Sequence, residues 1–260
     1  MKINKVIPNK FLDVNLESDM VIGAVYYLVR SIMRTKEKIY EGGYSTRAGE
    51  WFPPKLVSRK HKFVYVINPV TGTRSILKKL YKKGGRQYGT KFRQVKMAEI
   101  RARDEYHVFT TVRNPFSRLV SAWRKQVLNA STVRKIGLIS QYKNIWPRMS
   151  FADFAEEVSR GAMDSHWAPQ CELLREDGRN IEIDRYIRTE RMSEGYKEFC
   201  KEAEFPYSKL PHVASSKSLP RTGKYKNNNK YYEEMNHSLK NRIKSIYRED
   251  LEKFGYNVEF

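Results

Sequence analysis

Residues 62–76 read KFVYVINPVTGTRSI. The β-branched and aromatic residues that fill Phe63–Ile67 predict a strand over Lys62–Asn68, and an unbroken apolar run suits a strand buried on both faces. The chain then turns at Val70–Thr73, where a single glycine, Gly72, sits among hydroxyls, and the pattern becomes helical over Ser75–Lys83 before Gly84-Gly85 ends it. A strand that feeds a small-residue turn and then a helix offers backbone N–H groups to an anion.

The same grammar returns downstream in HVFTTVRNPFSRLVSAW, residues 107–123. His107–Val112 reads as a second strand. Pro115 suits the first turn of the following helix, Pro115 to about Asn129, because its missing N–H has no helical partner there. Phe116, Leu119, Val120 and Trp123 fall on one apolar face, leaving Ser117, Ser121 and Lys125 on others. Two such junctions in a parallel sheet open at the same edge, where ligands of these folds bind. A ligand with anionic groups at separate places would fit them.

Further helices are predicted near 17–37, 151–160, 193–203 and 238–254, and a strand near 183–189. Strands alternating with helices argue for an α/β fold: a central parallel sheet with helices on both faces. The length of 260 residues suits one domain. KSLPRTGKYKNNNK, residues 217–230, is polar and aperiodic and reads as a basic loop, either a solvated connector or a clamp.

With 50 Lys+Arg against 29 Asp+Glu, the formal charge is +21, which points to an anionic partner without naming it. Cys171 and Cys200 are too few for a disulfide framework and lack metal-ligand spacing; two buried thiols or one disulfide are both compatible. The longest apolar run, Met20–Val29, is about half of what a membrane-spanning helix needs. It follows acidic Glu17 and Asp19 rather than a basic leader, so the reading is a soluble, cytoplasmic chain with no membrane span. No GxxxxGK[ST] and no GxGxxG occurs, which argues against a Walker-type nucleotide site and a dinucleotide fold.

The strand-PxTGTxS turn, VRNPFSRLVSAW at 112–123, HWAPQ at 166–170 and IYREDLEKFGY at 246–256 together resemble the sulfotransferases, most closely the carbohydrate branch with the chondroitin and dermatan enzymes. The resemblance covers about 62–256 and leaves residues 1–60 as an N-terminal extension. It implies a P-loop-like sulfotransferase fold and transfer of a sulfuryl group from 3′-phosphoadenosine 5′-phosphosulfate (PAPS) to a hydroxyl, most plausibly on a saccharide or glycan, without a metal. It also implies that Thr71, Gly72, Thr73, Arg74 and Ser75 hold the 5′-phosphosulfate, and that Arg113 and Ser121, at R-x-P-(x)5-S spacing, hold the 3′-phosphate. Arg221 and Lys224 in the basic loop are candidates to close over it.

One departure matters. Where the family usually carries a lysine that reaches the oxygen bridging phosphate and sulfate, this chain has Val70. Loss of a cation at developing charge costs on the order of a hundredfold in rate. Either Arg74 compensates or the chain is a weakened relative. For the proton of the attacking hydroxyl, His166 is the first candidate base, with Glu99 and Glu172 in reserve. Trp123 reads as core, whereas Trp167 suits core or stacking equally. The rival reading is a non-catalytic polyanion or nucleic-acid binder in which Tyr225, Tyr231 and Tyr232 stack on bases. It leaves both anion junctions and HWAPQ unexplained, so no specific nucleic acid is expected as a partner.

Overall fold

The five-stranded sheet of the computed structural model consists of β1 (Lys55–Ser58), β2 (Phe63–Val66), β3 (Thr90–Arg93), β4 (His107–Val112) and β7 (Arg185–Arg188), in the order β3-β1-β2-β4-β7. The structure describes residues 53–80, 90–93, 96–101, 105–211 and 229–257. The helix expected over 17–37, the Gly84-Gly85 stop, and Arg221, Lys224 and Tyr225 of the basic loop lie outside these residues.

β2, β4 and β7 run parallel, as the junction argument requires. The sheet as a whole is mixed, which corrects the wholly parallel expectation. β1 is antiparallel to β2, because the connection 59–62 is far too short for the crossover that a parallel pair needs, and it is antiparallel to β3 as well. Its four residues adjoin Pro53-Pro54, a pair that reads as loop in the sequence and masks the strand beside it.

Strand alternation divides the core. Phe63 and Tyr65 join Leu56, Phe109 and Ile187 under α1 (Thr73–Leu80) and α7 (Met192–Glu202). Val64 and Val66 join Val57, Val108 and Val112 on the opposite face, under α2 (Met97–Arg101), α6 (Gln170–Leu173) and α10 (Arg248–Phe254). Coverage of both faces explains why β2 reads as an unbroken apolar run. Between α6 and β7 lies a small hairpin of β5 (Arg175–Glu176) and β6 (Arg179–Asn180), where Glu176 pairs at 2.5 Å with the buried Lys55.

A third cluster is helical and comprises α3 (Pro115–Trp123), α4 (Thr132–Gln141), α5 (Phe151–Ser159), α8 (Asn229–Glu233) and α9 (His237–Ile246). Trp123 and Trp167 are both buried in it, so neither offers a free ring face. Tyr231 and Tyr232 are buried there too, packed on Trp123 and Phe151, with Tyr232 donating to the Phe116 carbonyl at 3.0 Å. They are core residues and not a stacking platform.

The expected helix over Pro115–Asn129 is α-helical only to Trp123 and continues as a π turn, Arg124–Leu128. The expected C-terminal helix is α9 and α10, separated at Tyr247, whose buried hydroxyl donates to the Trp167 carbonyl at 2.5 Å. Cys171 and Cys200 are free and buried. Among the described residues no helix is long and apolar enough to cross a membrane.

Candidate active site

Because β2, β4 and β7 are parallel, their carboxyl ends meet at one edge. There the turn after β2 is folded around the Asn68 carbonyl, which accepts from Thr71 Oγ1 at 2.7 Å and Thr73 Oγ1 at 2.6 Å. The Thr71 and Thr111 hydroxyls lie 2.6 Å apart, and Tyr65 meets Thr111 at 2.8 Å. Burial pushes the Tyr65 hydroxyl up to about 12 against the opposing pull of its bonds to Thr111 and Thr73, so it stays a neutral member of this knot. Thr71 is fully buried. Its hydroxyl therefore shapes the turn and faces the sheet rather than the exterior.

With the hydroxyls turned inward, the amides point elsewhere. Ser75 N–H bonds back to the Gly72 carbonyl at 2.9 Å, but the N–H groups of Thr71, Gly72, Thr73 and Arg74 meet no acceptor among the described residues. Val70 and Gly72 hold left-handed φ of 65° and 76°, and such alternation is what gathers successive amides into an anion-binding concavity. Gly72 also has no room for a side chain: a Cβ there would stand 2.2 Å from Met192 Cε.

The second junction adjoins the first. Arg113 donates its backbone N–H to Gln170 Oε1 at 2.9 Å, and its guanidinium makes one long contact, 3.5 Å, to the Val70 carbonyl. No described carboxylate pairs with it. Burial lowers its pKa, opposed by the nearby Glu190 charge. A half-buried guanidinium so weakly engaged is suited to an external anion. Asn114 caps α3, accepting from Phe116 N and Ser117 N at 3.0 and 3.1 Å. Ser121 is half-buried on that helix, and its hydroxyl has no partner among the described residues. One turn on, Lys125 is held below its ordinary pKa by burial and then by the Arg74 guanidinium. Neither cation has an ion pair with a described carboxylate.

Two buried side chains bind these parts together. Gln170 accepts from Arg113 N and Asn68 Nδ2 and donates to the Arg113 carbonyl and to Asp250, linking the ends of β2 and β4 to α10. Arg118 spends its guanidinium on three carbonyls: Pro69 at 3.0 Å, Ala168 at 2.6 Å and Ser165 at 2.8 Å. It thereby fixes the 165–168 segment beside the anion turn.

That segment carries His166. Its Nδ1 lies 2.6 Å from Asp164 Oδ1, which also accepts the His166 backbone N–H at 2.9 Å. Asp164 Oδ2 pairs with Arg134 at 2.8 Å and accepts from Tyr142 at 3.2 Å. Burial disfavours the Asp164 carboxylate, but the hydrogen bond and charge of His166, followed by Arg134, hold it well below the usual carboxylate range. With Nδ1 engaged, Nε2 is the ring nitrogen left to accept a proton.

The structure thus gathers residues 71–75, Arg113 and the His166 segment at one sheet edge, with Ser121 on the helix that follows Arg113. It does not bring the reserves there by any contact: Glu172 pairs with Arg175, and Glu99 is exposed on α2. Sequence reasoning missed three participants. Lys125 had a signal, its i+4 spacing from Ser121. Asp164 stands two residues before His166, and Thr189 at the end of β7 packs on Gly72 while donating to the Val112 carbonyl at 2.9 Å.

The profile described as the Sulfotransferase family matches residues 56–257. No curated protein and no solved structure matches the chain at a significant level.

Proposed function

Because the chain belongs to the sulfotransferase family, we propose that it moves a sulfuryl group from PAPS to a hydroxyl on a carbohydrate, as a single domain over 1–260, with 62–256 the region that resembles the family and residues 1–60 an N-terminal extension. The observation that carries the reading is the row of amides from Thr71 to Arg74, with no acceptor among the described residues, beside the weakly engaged Arg113. These donors fit the two phosphate-bearing ends of PAPS, the turn taking the 5′-phosphosulfate and Arg113 with Ser121 the 3′-phosphate. Arg221 and Lys224 join them in this proposal. The saccharide acceptor rests on the likeness of VRNPFSRLVSAW and HWAPQ to the carbohydrate branch.

Bound there, the donor supplies an activated sulfuryl group. His166 Nε2 takes the proton of the acceptor hydroxyl as that oxygen bonds to sulfur. The bond from sulfur to the phosphate oxygen breaks, and its electron pair stays on that oxygen. Arg74 and Lys125, near each other and free of described carboxylates, supply the positive charge that Val70 does not.

Calorimetric titration with 3′-phosphoadenosine 5′-phosphate (PAP) tests the donor site. The expected result is metal-independent binding, weakened at least tenfold in Arg113→Ala, with ATP as the weaker control. Absence of binding by the wild type, together with steeply salt-dependent DNA binding, would replace this reading with the polyanion binder.

A further inference from the structure

We propose that Asp164 is a positioning residue that fixes the tautomer and orientation of His166, and that Arg134 and Tyr142 fix Asp164 in turn. The proposal rests on the reading of His166 as the proton acceptor.

The carboxylate is engaged through both of its oxygens. Oδ1 takes the His166 ring and backbone N–H at 2.6 and 2.9 Å and, at 3.4 Å, the Ser165 hydroxyl, while Oδ2 takes Arg134 at 2.8 Å and shares the Tyr142 hydroxyl, 3.2 Å away, with the Met163 carbonyl at 3.0 Å. A plain turn-forming aspartate needs only the backbone bonds, and those are already present: the Trp167 and Ala168 N–H groups donate to the Asp164 carbonyl at 2.9 and 2.7 Å. The short contact to Nδ1 is additional. It makes Nδ1 the protonated nitrogen of the neutral ring, and Nε2 the bare one.

Exposure follows the same division of labour. The Asp164 side chain is 10 % exposed and the His166 ring 28 %, so the carboxylate is shut in while the ring reaches outward. The charged and titratable groups facing the pair come from two elements. Arg134 stands on α4, with its guanidinium 5.6 Å from the Trp167 ring centre, and Tyr142 follows that helix. Burial and then Asp164 raise the Tyr142 hydroxyl's pKa, so it remains a donor. From α3, Arg118 clamps the Ser165 carbonyl and so limits movement of the backbone that carries the ring. Arg134 neutralises the carboxylate, so Asp164 orients the imidazole without needing to take its proton.

The test is 15N NMR of the His166 ring in the full-length protein, compared between wild type and Asp164→Asn, alongside PAP release from PAPS with a panel of glycosaminoglycan acceptors. The neutral wild-type ring is expected to carry its proton on Nδ1. Asp164→Asn is expected to shift population to the Nε2–H form and to lower turnover about tenfold or more, a part of the roughly 10²–10⁴-fold that a general base contributes, with PAP affinity unchanged within about twofold. A wild-type ring protonated on Nε2 overturns the proposal without any variant. So does a variant whose tautomer and turnover match wild type. His166→Ala separates the two layers: retained turnover there defeats the base assignment itself, whereas lost turnover with an indifferent Asp164→Asn defeats only the positioning role.

Discussion

Gly72→Ala probes the geometry on which the anion turn depends. The residue sits at φ 76°, where an L side chain costs about 1–2 kcal/mol. The new Cβ would also stand 2.2 Å from Met192 Cε, while Thr189 Cγ2, at 3.6 Å, is in ordinary contact. Since the obstructing atom ends a flexible side chain, relief requires a rotamer displacement of Met192, roughly 0.5–1.5 kcal/mol, rather than a backbone shift. The two costs sum to about 1.5–3.5 kcal/mol. Urea denaturation should show a lower midpoint with an unchanged slope, because the surface exposed on unfolding does not change. Met192→Ala in the Gly72→Ala background should return the steric part and leave the φ part, a coupling that a double-mutant cycle reads directly. PAP binding should fall along with stability, since relaxation of the strained φ at residue 72, unlike relief of the Met192 clash, carries the Gly72 and Thr73 amides with it. A loss below about 0.5 kcal/mol, well short of the left-handed penalty, would refute both the strained turn and the assignment of its amides.

Arg74→Ala and Lys125→Ala should each lower turnover at least tenfold, on the scale of losing one donor from developing charge, while PAP affinity falls less. If affinity falls as much as turnover, the two cations serve binding alone. Acid unfolding should report on Asp164. Its folded-state pKa is depressed by His166 and Arg134 despite burial, so its stabilisation is fully present above the unfolded value near pH 4 and is lost as pH falls further. Asp164→Asn should therefore be less stable at neutral pH, with the gap to wild type narrowing below about pH 4; a gap independent of pH would contradict the carboxylate's role.

The two junctions were legible because strand, turn and helix propensities each leave a local mark: a β-branched run, Gly72 among hydroxyls, Asn114-Pro115 opening a helix. Pairing between distant segments lay beyond reach. Nothing local tells that Lys55 is buried against Glu176, so β1 passed for a loop. Likewise the alternation of Arg118 with Leu119 and Val120 places an arginine on a helix but does not disclose that three carbonyls from two loops consume it. Trp167 was ambiguous for the same reason, as its burial is decided by Phe154 and Tyr142 packing on it. Thr71 marks the subtler limit. Its residue type suits an anion site, yet its hydroxyl turns inward and acts by shaping the loop.

Val70 joins the strain of the turn to its chemistry. A β-branched residue at φ 65° is a true outlier, costing about 1–2 kcal/mol, and persists only where neighbours over-determine it. Here Arg118 fixes the preceding Pro69 carbonyl and Arg113 reaches the Val70 carbonyl, while the hydroxyl knot fixes Asn68. These bonds hold carbonyls on the protein side of the turn, while the amides of residues 71–74 meet no acceptor among the described residues. The valine side chain packs against the helical core, so at this position the turn gains an apolar anchor and forgoes a cation. In the proposed reaction the charge then comes from α1 and the π turn, Arg74 on the first and Lys125 on the second, close enough for the Arg74 guanidinium to lower the Lys125 pKa. A π turn widens the helix by one residue and re-aims the side chains beyond Trp123, Lys125 among them. In the proposed reaction the irregular helix and the missing lysine belong to one arrangement, in which Arg74 and Lys125 would supply the charge that Val70 does not.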